Sequence, residues 1–537
     1  MAIVDTLWEH ASPGNVAICV AAGLTLYYIW SRVDEHVRLR RLGKYGPTLR
    51  HRLPFGLDFV ARSIRHTISH TNLELWRDYL FQSSGRPTVT SRILGQRIIF
   101  THEPENIKAM LATQFSDFGK GEPFRAEWGE FLGDSIFTTD GAQWHSSRQL
   151  LRPQFSKDRI SDLHCFEDHF QTLVKAIANG GPMDGEEQTI DLEKANGRTM
   201  DISDLFFRFT LDVTTDFLLG ADTKSLCSLE NDFANAFNGV QHFQNVLART
   251  GNLRSIVPRY RMRRQLAVVE SFINFYIDRA LRLTPDELAV HTKSDEGYTF
   301  LHELASATRD RKRIRDQIMA ILLAGRDTTA STMSWVIYEL SKKPEMVKKL
   351  RAEIAEMVGG EEVLPTYEHL KNMPYLKAIL NETLRLYPVV PFNVRLALHD
   401  TTLPRGGGPD GTEPLPVLKD TPCAYSTLCM QRDPSQYPEV SEDFADPAEF
   451  SPERWAKWHP KPHNYIPFNA GPRICIGQQF ALTEMSYVMV RLFQKFSSVT
   501  SHMDEIDGGN PLLKADIVLS PGQGVKVSFH QDDEKSR

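Results

Sequence analysis

The chain has 537 residues, a formal net charge of −6 and 24% charged residues, a length and balance that suit a globular protein and give no sign of nucleic acid as its partner. Its six cysteines, Cys19, Cys165, Cys227, Cys423, Cys429 and Cys475, are scattered without a C-x-x-C pair. Their spacing suggests neither a zinc site nor a disulfide framework, and fits a reducing cytosolic setting.

Residues 11–31 carry no charge, 16–30 are almost wholly apolar, and Arg32, Arg38, Arg40, Arg41 and Lys44 follow. A cleaved signal peptide carries its positive charge before the apolar run, not after it. The run is long enough to span a bilayer, and Tyr27, Tyr28 and Trp30 suit the interface. The basic flank predicts a cytoplasmic side and a luminal N-terminus; a buried core helix is the competing reading. Lys44-Tyr45-Gly46-Pro47 reads as a linker and turn. Residues 87–100 read as strands about Gly95-Gln96. Helical periodicity dominates afterwards, which predicts a mainly α protein with a small β part.

Trp144 and Arg148 stand one helical turn apart, so they can hold one carboxylate together or simply share a face of an amphipathic helix. Residues 225–280 read as helices rich in aromatics, among them Phe233, Phe237 and Phe243. Within them Arg259, Arg261, Arg263 and Arg264 read as a solvated face, with lipid head groups as the alternative contact. A long helix is predicted over 315–342. Its centre, Ala324-Gly325-Arg326-Asp327-Thr328-Thr329, is poor helix material. Such a weak point, carrying an acid and hydroxyls, can open a groove for oxygen and water and relay protons; a plain kinked core helix reads the same. Residues 375–388 form a helix ended by Pro388, with Glu382 and Arg385 on one face. Gly406 to Gly411 reads as a flexible turn between short strands, and 517–522 as a hairpin. There are no internal repeats, and the polar tail 531–537 is expected to be disordered.

The most restrictive stretch is Phe468-Asn469-Ala470-Gly471-Pro472-Arg473-Ile474-Cys475-Ile476-Gly477, followed by an apolar, helix-favouring run. Gly471-Pro472 predicts a tight turn, and Gly477 a close backbone approach to something bulky. The cysteine falls just before a helix N-terminus, where backbone N–H groups favour a thiolate. A thiolate beside an arginine suits axial ligation of a haem iron and pairing with a haem propionate.

These ten residues match the haem-binding loop of the cytochrome P-450 family, and the chain resembles those haem-thiolate monooxygenases over roughly 45–530. Ala324-Gly325-Arg326-Asp327-Thr328-Thr329 resembles the family's oxygen-activation motif. Trp144-x-x-x-Arg148 resembles its propionate clamp, and Glu382-x-x-Arg385 with Arg454 its buried ion-pair network. The resemblance implies the P-450 fold behind one N-terminal transmembrane helix. The divisions it implies are a luminal N-terminus and anchor (1–33), a basic, proline-containing linker (34–48), the haem domain (49–530) and the tail (531–537). It implies Cys475 as ligand to the iron of haem b, with Trp144, Arg148, Arg395, Phe468, Arg473 and Gly477 around the cofactor. Asp327 then aligns with the family's acid and Thr328 with its oxygen-binding hydroxyl, while Glu382, Arg385 and Arg454 are structural. Phe124, Phe131, Ile321, Ala324, Val390, Phe392, Val394 and Ile517 become candidates for the substrate cavity.

AGRDTTA, NETLRLYP, GGGPDG and FNAGPRICIGQQFALTE resemble, more narrowly, the fungal branch that hydroxylates n-alkanes and fatty acids at the chain end. Two positions depart from that branch: Ser146 where it usually has histidine, and Gln431 before Arg432 where histidine is usual. They leave the haem chemistry intact and bear on the substrate. The implied reaction inserts one atom of dioxygen into a C–H bond of a hydrophobic small molecule, most simply ω-hydroxylation. NADPH electrons would arrive through a membrane-bound flavoprotein, NADPH–cytochrome P-450 reductase, with cytochrome b5 as a second partner. The expected location is the endoplasmic reticulum membrane, single-pass, with the catalytic domain on the cytosolic face of the bilayer. The alternatives are a hydroxylase of a specialised fungal metabolite and, against the intact Asp327-Thr328 pair, a reductase-independent isomerase or dehydratase.

Overall fold

A computed structural model describes residues 13–531 apart from 157–162, 187, 251–253, 255–256, 294–298 and 443. The expected luminal residues 1–12 and the tail 532–537 therefore lie outside the described residues. Helix makes up 58% and strand 12%, the mainly α composition that the periodicity predicts.

The first helix, α1 (Pro13–Leu42), leaves Ile18, Leu24, Leu26 and Trp30 all more than 60% exposed. Thirty residues rise about 45 Å, and the apolar part is long and hydropathic enough to cross a membrane. The competing reading of a buried core helix is excluded by that exposure. The expected linker over 34–48 is corrected. The helix runs on to Leu42, because neither proline nor glycine interrupts 33–42. Its polar end is tied down by ion pairs: Arg38 to Asp400 at 2.6 Å, and Glu35 to Arg92. Lys44, just past it, reaches Glu413 at 2.8 Å.

After α2 (Leu57–Ile68), β1 (Thr88–Ile93) and β2 (Gln96–Thr101) form a hairpin over Leu94-Gly95. Both turn residues have positive φ, the twist that a two-residue hairpin requires. Further along come β3 (Phe118–Gly119), α3 (Gly121–Leu132), α4 (Gly141–Leu151), α5 (His164–Asn179), β4 (Thr199–Asp201), α6 (Ile202–Leu219), α7 (Asp232–Thr250) and α8 (Tyr260–Ala280). Then follow α9 (Arg311–Leu340), α10 (Pro344–Met357), α11 (Pro374–Leu386), β5 (Phe392–Ala397), β6 (Thr401–Gly407), β7 (Glu413–Val417) and β8 (Pro422–Ser426). The chain closes with α12 (Gln478–Lys495), β9 (Ser498–Ser501), β10 (Leu513–Ala515), β11 (Leu519–Pro521) and β12 (Lys526–His530). The main sheet has the order β1-β2-β8-β5-β3, with β2 and β8 parallel. The hairpin expected over 517–522 begins earlier: β10 pairs with β11, which leaves Ile517 and Val518 in the turn.

The long central helix, α9, is shifted to Arg311–Leu340 from the predicted 315–342 because Asp310 caps it, accepting the Arg313 N–H. It runs unbroken through Gly325. A Cβ there would stand 3.1 Å from Thr214 of α6, so the glycine serves close helix packing rather than a break. Ile314, Ile318, Met319, Ile321, Leu322 and Leu323 belong to one apolar core with α3, α6, α7 and α8. Ala330, Met333, Trp335, Val336, Ile337 and Leu340 belong to another with α5, α6, α10, α11 and α12. Residues 324–329 belong to neither, so the segment singled out in the sequence lies at the seam of the two.

Candidate functional site

The cysteine loop is shaped by its own backbone. Cys475 N–H donates to Phe468 O at 2.9 Å, and Ile474 N–H to Gly471 O at 3.0 Å. Gly471 has φ 68°, and a Cβ on it would fall 1.8 Å from Leu111 O, so only glycine fits. Asn469, also at positive φ, accepts from Tyr425 OH at 3.2 Å. The loop runs directly into α12, which starts at Gln478 right after Gly477, so the cysteine falls just before a helix N-terminus, as its sequence predicts. The Cys475 side chain is uncovered, yet surrounding protein desolvates the thiol and pushes its pKa up, against the Gly477 N–H and Arg148. Gly477 behaves differently from expectation toward the protein itself: a Cβ there would meet only Phe155, at an ordinary 3.5 Å. Any need for glycine at this position comes from something other than the chain.

Positive charge converges beside the loop. Arg473 donates to Thr139 O at 2.8 Å and to Asp140 Oδ1 at 2.6 Å, and its guanidinium lies 4.7 Å over the Trp144 ring. Its buried Nε has no partner among the described residues. Burial, reinforced by Arg395 and Arg148 and opposed by Asp140, pushes its pKa down to about 10. Arg395 is buried and donates to the carbonyl of Val394 at 3.0 Å. Lys120, which the sequence reading missed, joins them: burial, Arg395 and Arg473 hold its amine well below the usual lysine range. Asp140 is the one carboxylate that two of these cations feel closely, and it also accepts the backbone N–H groups of Lys120 and Gly121. Of the three cations, Lys120 and Arg473 share Asp140, Glu127 acts on Lys120 alone, and a buried guanidinium N–H lacks a partner among the described residues, a balance that fits a ligand bringing carboxylates. The flanking glycines in Phe118-Gly119-Lys120-Gly121 were the available signal for Lys120. Of the Trp144–Arg148 pair, Trp144 underlies Arg473, and Arg148 donates to Ile474 O at 3.0 Å.

At the seam, Thr328 Oγ1 donates to Ala324 O at 2.7 Å. Asp327 is buried; its Oδ1 accepts from Arg326 at 3.1 Å and its Oδ2 has no partner among the described residues. Burial raises its pKa, opposed by Arg326. Asp327 lines a cavity of ≈ 490 Å³ between α6, α7 and α9, together with Gln241, His242 and Arg326, whereas Thr328 does not. Neighbours on a helix point about 100° apart, so acid and hydroxyl face different sides and are not in contact. Glu484 of α12 is a second buried acid, absent from the sequence reading; neither carboxyl oxygen has a partner at full hydrogen-bond geometry among the described residues, and burial, opposed by the nearby Thr329 hydroxyl, pushes its pKa up to about 8.

The structure brings Glu382, Arg385 and Arg454 together in full burial. Glu382 accepts from Arg385 Nε and Nη2 at 2.8 Å each, Arg454 Nε at 2.9 Å, Trp455 Nε1 at 3.0 Å and Ser451 N at 2.9 Å. Gln431, one of the departures, fastens this region to the cysteine loop. It donates to Leu384 O at 2.9 Å and Arg385 O at 3.1 Å, and accepts from Ile466 N at 2.9 Å. Ser146, the other, accepts from Arg313 of α9 at 2.5 Å.

The candidate cavity residues divide. Val390 is 37% exposed between buried Val389 and Pro391. Ala324, Phe392 and Val394 are half-buried, and Ile321 is buried. Phe392 stacks on Trp76 at 4.7 Å, and Phe124 on Trp128 at 5.6 Å beneath the Lys120 ammonium. Phe131 is fully buried against Phe237 in the core, so it is corrected from cavity wall to packing residue. Ile517 lines the cavity on the Asp327 side. The four arginines expected on a solvated face are corrected in part, since Arg259 and Arg263 clamp Glu130 of α3 at 2.8 and 2.5 Å.

Comparison with known proteins gives a consistent picture. The family model described as Cytochrome P450 matches residues 67–525. The chain is 53% identical over 533 residues to "Cytochrome P450 monooxygenase pvhE" of Talaromyces variabilis, covering 99% of this chain and 98% of that protein. It is 39% identical over 521 residues to "Cytochrome P450 52A12" of Debaryomyces hansenii, covering 94% and 95%. The fold of a "cytochrome P450DA heme domain" crystal structure superposes with a TM-score of 0.73 at 20% identity, over 92% of this chain and 100% of that one.

Proposed function

The chain belongs to the cytochrome P450 family, a haem-thiolate monooxygenase, and from that premise we propose that it hydroxylates long aliphatic chains, fatty acids or n-alkanes, at the terminal carbon. The observation that carries this reading is the likeness of its four motif stretches to the fungal branch with that chemistry, in agreement with the 39% identity to a 52A protein. Partly uncovered apolar side chains, Ala324, Val390, Phe392 and Val394, support it.

In this reading Cys475 supplies the thiolate, Lys120, Arg395 and Arg473 pair with the propionates, and Trp144 and Phe468 pack about the cofactor. Bound there, the haem supplies activation of dioxygen for insertion into a C–H bond. Asp327 exchanges protons at Oδ2, beside the cavity between α6, α7 and α9 that water can enter. Thr328 offers a hydroxyl now turned back on the Ala324 carbonyl, and rotation of its χ1 frees it to donate. Val390 and Val394 narrow the approach, since β-branched side chains are stiff; a terminal methyl reacts ahead of weaker internal C–H bonds only if orientation enforces it.

Family members draw electrons from a redox partner; here we assign NADPH–cytochrome P450 reductase, with cytochrome b5 as a second donor. We assign the protein to the endoplasmic reticulum membrane with its haem domain on the cytosolic side, a reading that the bare α1 and the basic residues after it support. The higher identity to pvhE than to the 52A protein favours a second reading, hydroxylation of a specialised fungal metabolite. Turnover of a saturated fatty acid and an n-alkane of similar length separates the two. Val390→Ala is expected to move product from the terminal carbon inward. No turnover of either chain, with clean turnover of a ring system, removes the first reading.

A further inference from the structure

Away from the haem region, three elements bring sulfur, nitrogen and oxygen donors to one point. Cys165 and His169 lie one turn apart on the same face of α5. Asp216 stands in the last turn of α6, which Gly220 ends at φ 65°. Asp222 follows in the loop beyond. Asp216 Oδ2 is 3.2 Å from His169 Nε2 and 3.6 Å from Cys165 Sγ. The donor atoms of all three residues lie within 4.8 Å of one another.

We propose that Cys165, His169 and Asp216 are the protein ligands of a zinc site, with Asp222 orienting the imidazole. A tetrahedral zinc with bonds of about 2.3 Å to sulfur and about 2.0–2.1 Å to nitrogen and oxygen has edges of about 3.5 Å from sulfur to oxygen and about 3.3 Å from nitrogen to oxygen. The observed 3.6 and 3.2 Å match both. The second imidazole nitrogen, Nδ1, faces Asp222 Oδ2 at 3.9 Å, so the ring has a carboxylate behind its metal-facing nitrogen as zinc-bound histidines commonly do.

The local charge asks for a cation. Asp212, Asp216 and Asp222 surround one imidazole whose side chain is only 7% exposed. Asp212 is held by Thr223 Oγ1 and by the N–H groups of Ser225 and Leu226, and burial with Asp222 pushes its pKa up to about 6. Among the described residues, two basic side chains of this region are engaged elsewhere: Arg208 with Asp204 and the Ser225 and Ser228 carbonyls, Lys224 with Glu186. Thiolate and imidazole select zinc over magnesium or calcium. Zinc displaces the thiol proton and any imidazolium proton, and the partial exposure of Cys165 and Asp216 gives an entry path and leaves the fourth position to water. Such an ion staples the first turn of α5 to the end of α6, far in sequence from the cysteine loop. Cysteine spacing along the chain could not suggest it, because two of the three donors are not cysteines and one lies on another helix.

The test uses the full-length, haem-loaded protein, stripped with a chelator and then dialysed against chelator-buffered zinc. Zinc and iron are counted by elemental mass spectrometry, and the zinc X-ray absorption edge reports the neighbours. One zinc per haem iron is expected, with one sulfur and otherwise nitrogen and oxygen around it. Cys165→Ser and Asp216→Asn, both conservative in shape, are each expected to weaken zinc binding by about tenfold or more. Cys227→Ser serves as the neutral control, and haem content and circular dichroism certify the fold of all three. Substoichiometric zinc, a zinc shell without sulfur, or equal uptake by parent and both ligand variants would overturn the assignment and leave a His169–Asp216 ion pair with a thiol hydrogen bond.

Discussion

Glu382→Gln isolates what burial does to an ion pair. The wild-type carboxylate accepts five hydrogen bonds at 2.8–3.0 Å, three on Oε1 and two on Oε2. Glutamine keeps the shape but turns one oxygen into an N–H₂ group. If that group replaces Oε2, Arg385 Nε and Trp455 Nε1 lose their acceptor; if it replaces Oε1, three donors do. Each orphaned buried donor costs about 1–3 kcal/mol, and two guanidiniums lose their only shared anion, for which breaking a buried pair costs about 3–5 kcal/mol. The expected loss is therefore about 3–5 kcal/mol, read from denaturant unfolding followed by circular dichroism and Soret absorbance, together with a lower haem-to-protein ratio. Lys349–Glu453 is the control: its 2.6 Å separation is even shorter, but the side chains are 57% and 42% exposed. Lys349→Met should cost less than about 1 kcal/mol. A Glu382→Gln protein within 1 kcal/mol of the parent, with full haem, would refute the reasoning.

Lys120→Met should strengthen the haem-free fold, by removing a cation beside Arg395 and Arg473, and weaken haem retention; apomyoglobin capture of released haem reads the second effect, and faster unfolding of the apoprotein would contradict the first. Cys475→His should lose the red-shifted carbon monoxide band of thiolate ligation, and an unchanged band would place the ligand elsewhere. Removing residues 1–31 keeps the Arg38–Asp400 tie and should make the protein extractable by alkaline carbonate; undiminished resistance would mean that α1 is not the sole anchor. For Glu484, burial raises the folded-state pKa from the ordinary 4.5 to about 8, so the folded protein holds a proton that the unfolded chain releases. Parental stability therefore falls as pH rises from about 4.5 to about 8. The gain from Glu484→Gln should grow over the same range to at most about 5 kcal/mol, and a gain independent of pH in denaturant titrations would show that the carboxyl is paired.

Motifs with strict local geometry could be read in the sequence. The Phe468 to Gly477 loop is such a case, because Gly471 and Asn469 need positive φ and the loop closes on its own backbone. Glu382 and Arg385 were legible as a pair, with Arg454 added by the family resemblance, but the further donors Ser451 and Trp455 were not, since they arrive from a segment about seventy residues away. Lys120, Asp140 and Glu484 were silent for the same reason: what makes each unusual is a neighbour from another element. The linker misreading at 34–42 had a different origin. Charge suggested solvent, whereas Glu35 and Arg38 use theirs to dock on Arg92 and Asp400.

The incompletely satisfied buried groups of this fold resolve in two ways, and the difference follows from what each group can do with a proton. An arginine cannot give up its charge near neutrality, so Arg473 with its unpartnered Nε, and Arg395 beside it, raise the free energy of the fold until carboxylates arrive. That part of the site is predisposed to couple folding to cofactor binding. Asp327 and Glu484 can take up a proton instead, and burial drives both that way. Asp327 lies within residues 324–329 and Glu484 beside Thr329, in the stretch of α9 that neither apolar core claims. Polar groups are tolerated there because the flanking halves of the helix are each anchored in a separate core, so the seam need not contribute to packing. It is thereby free to hold protons beside a cavity, the property that the proposed function asks of Asp327.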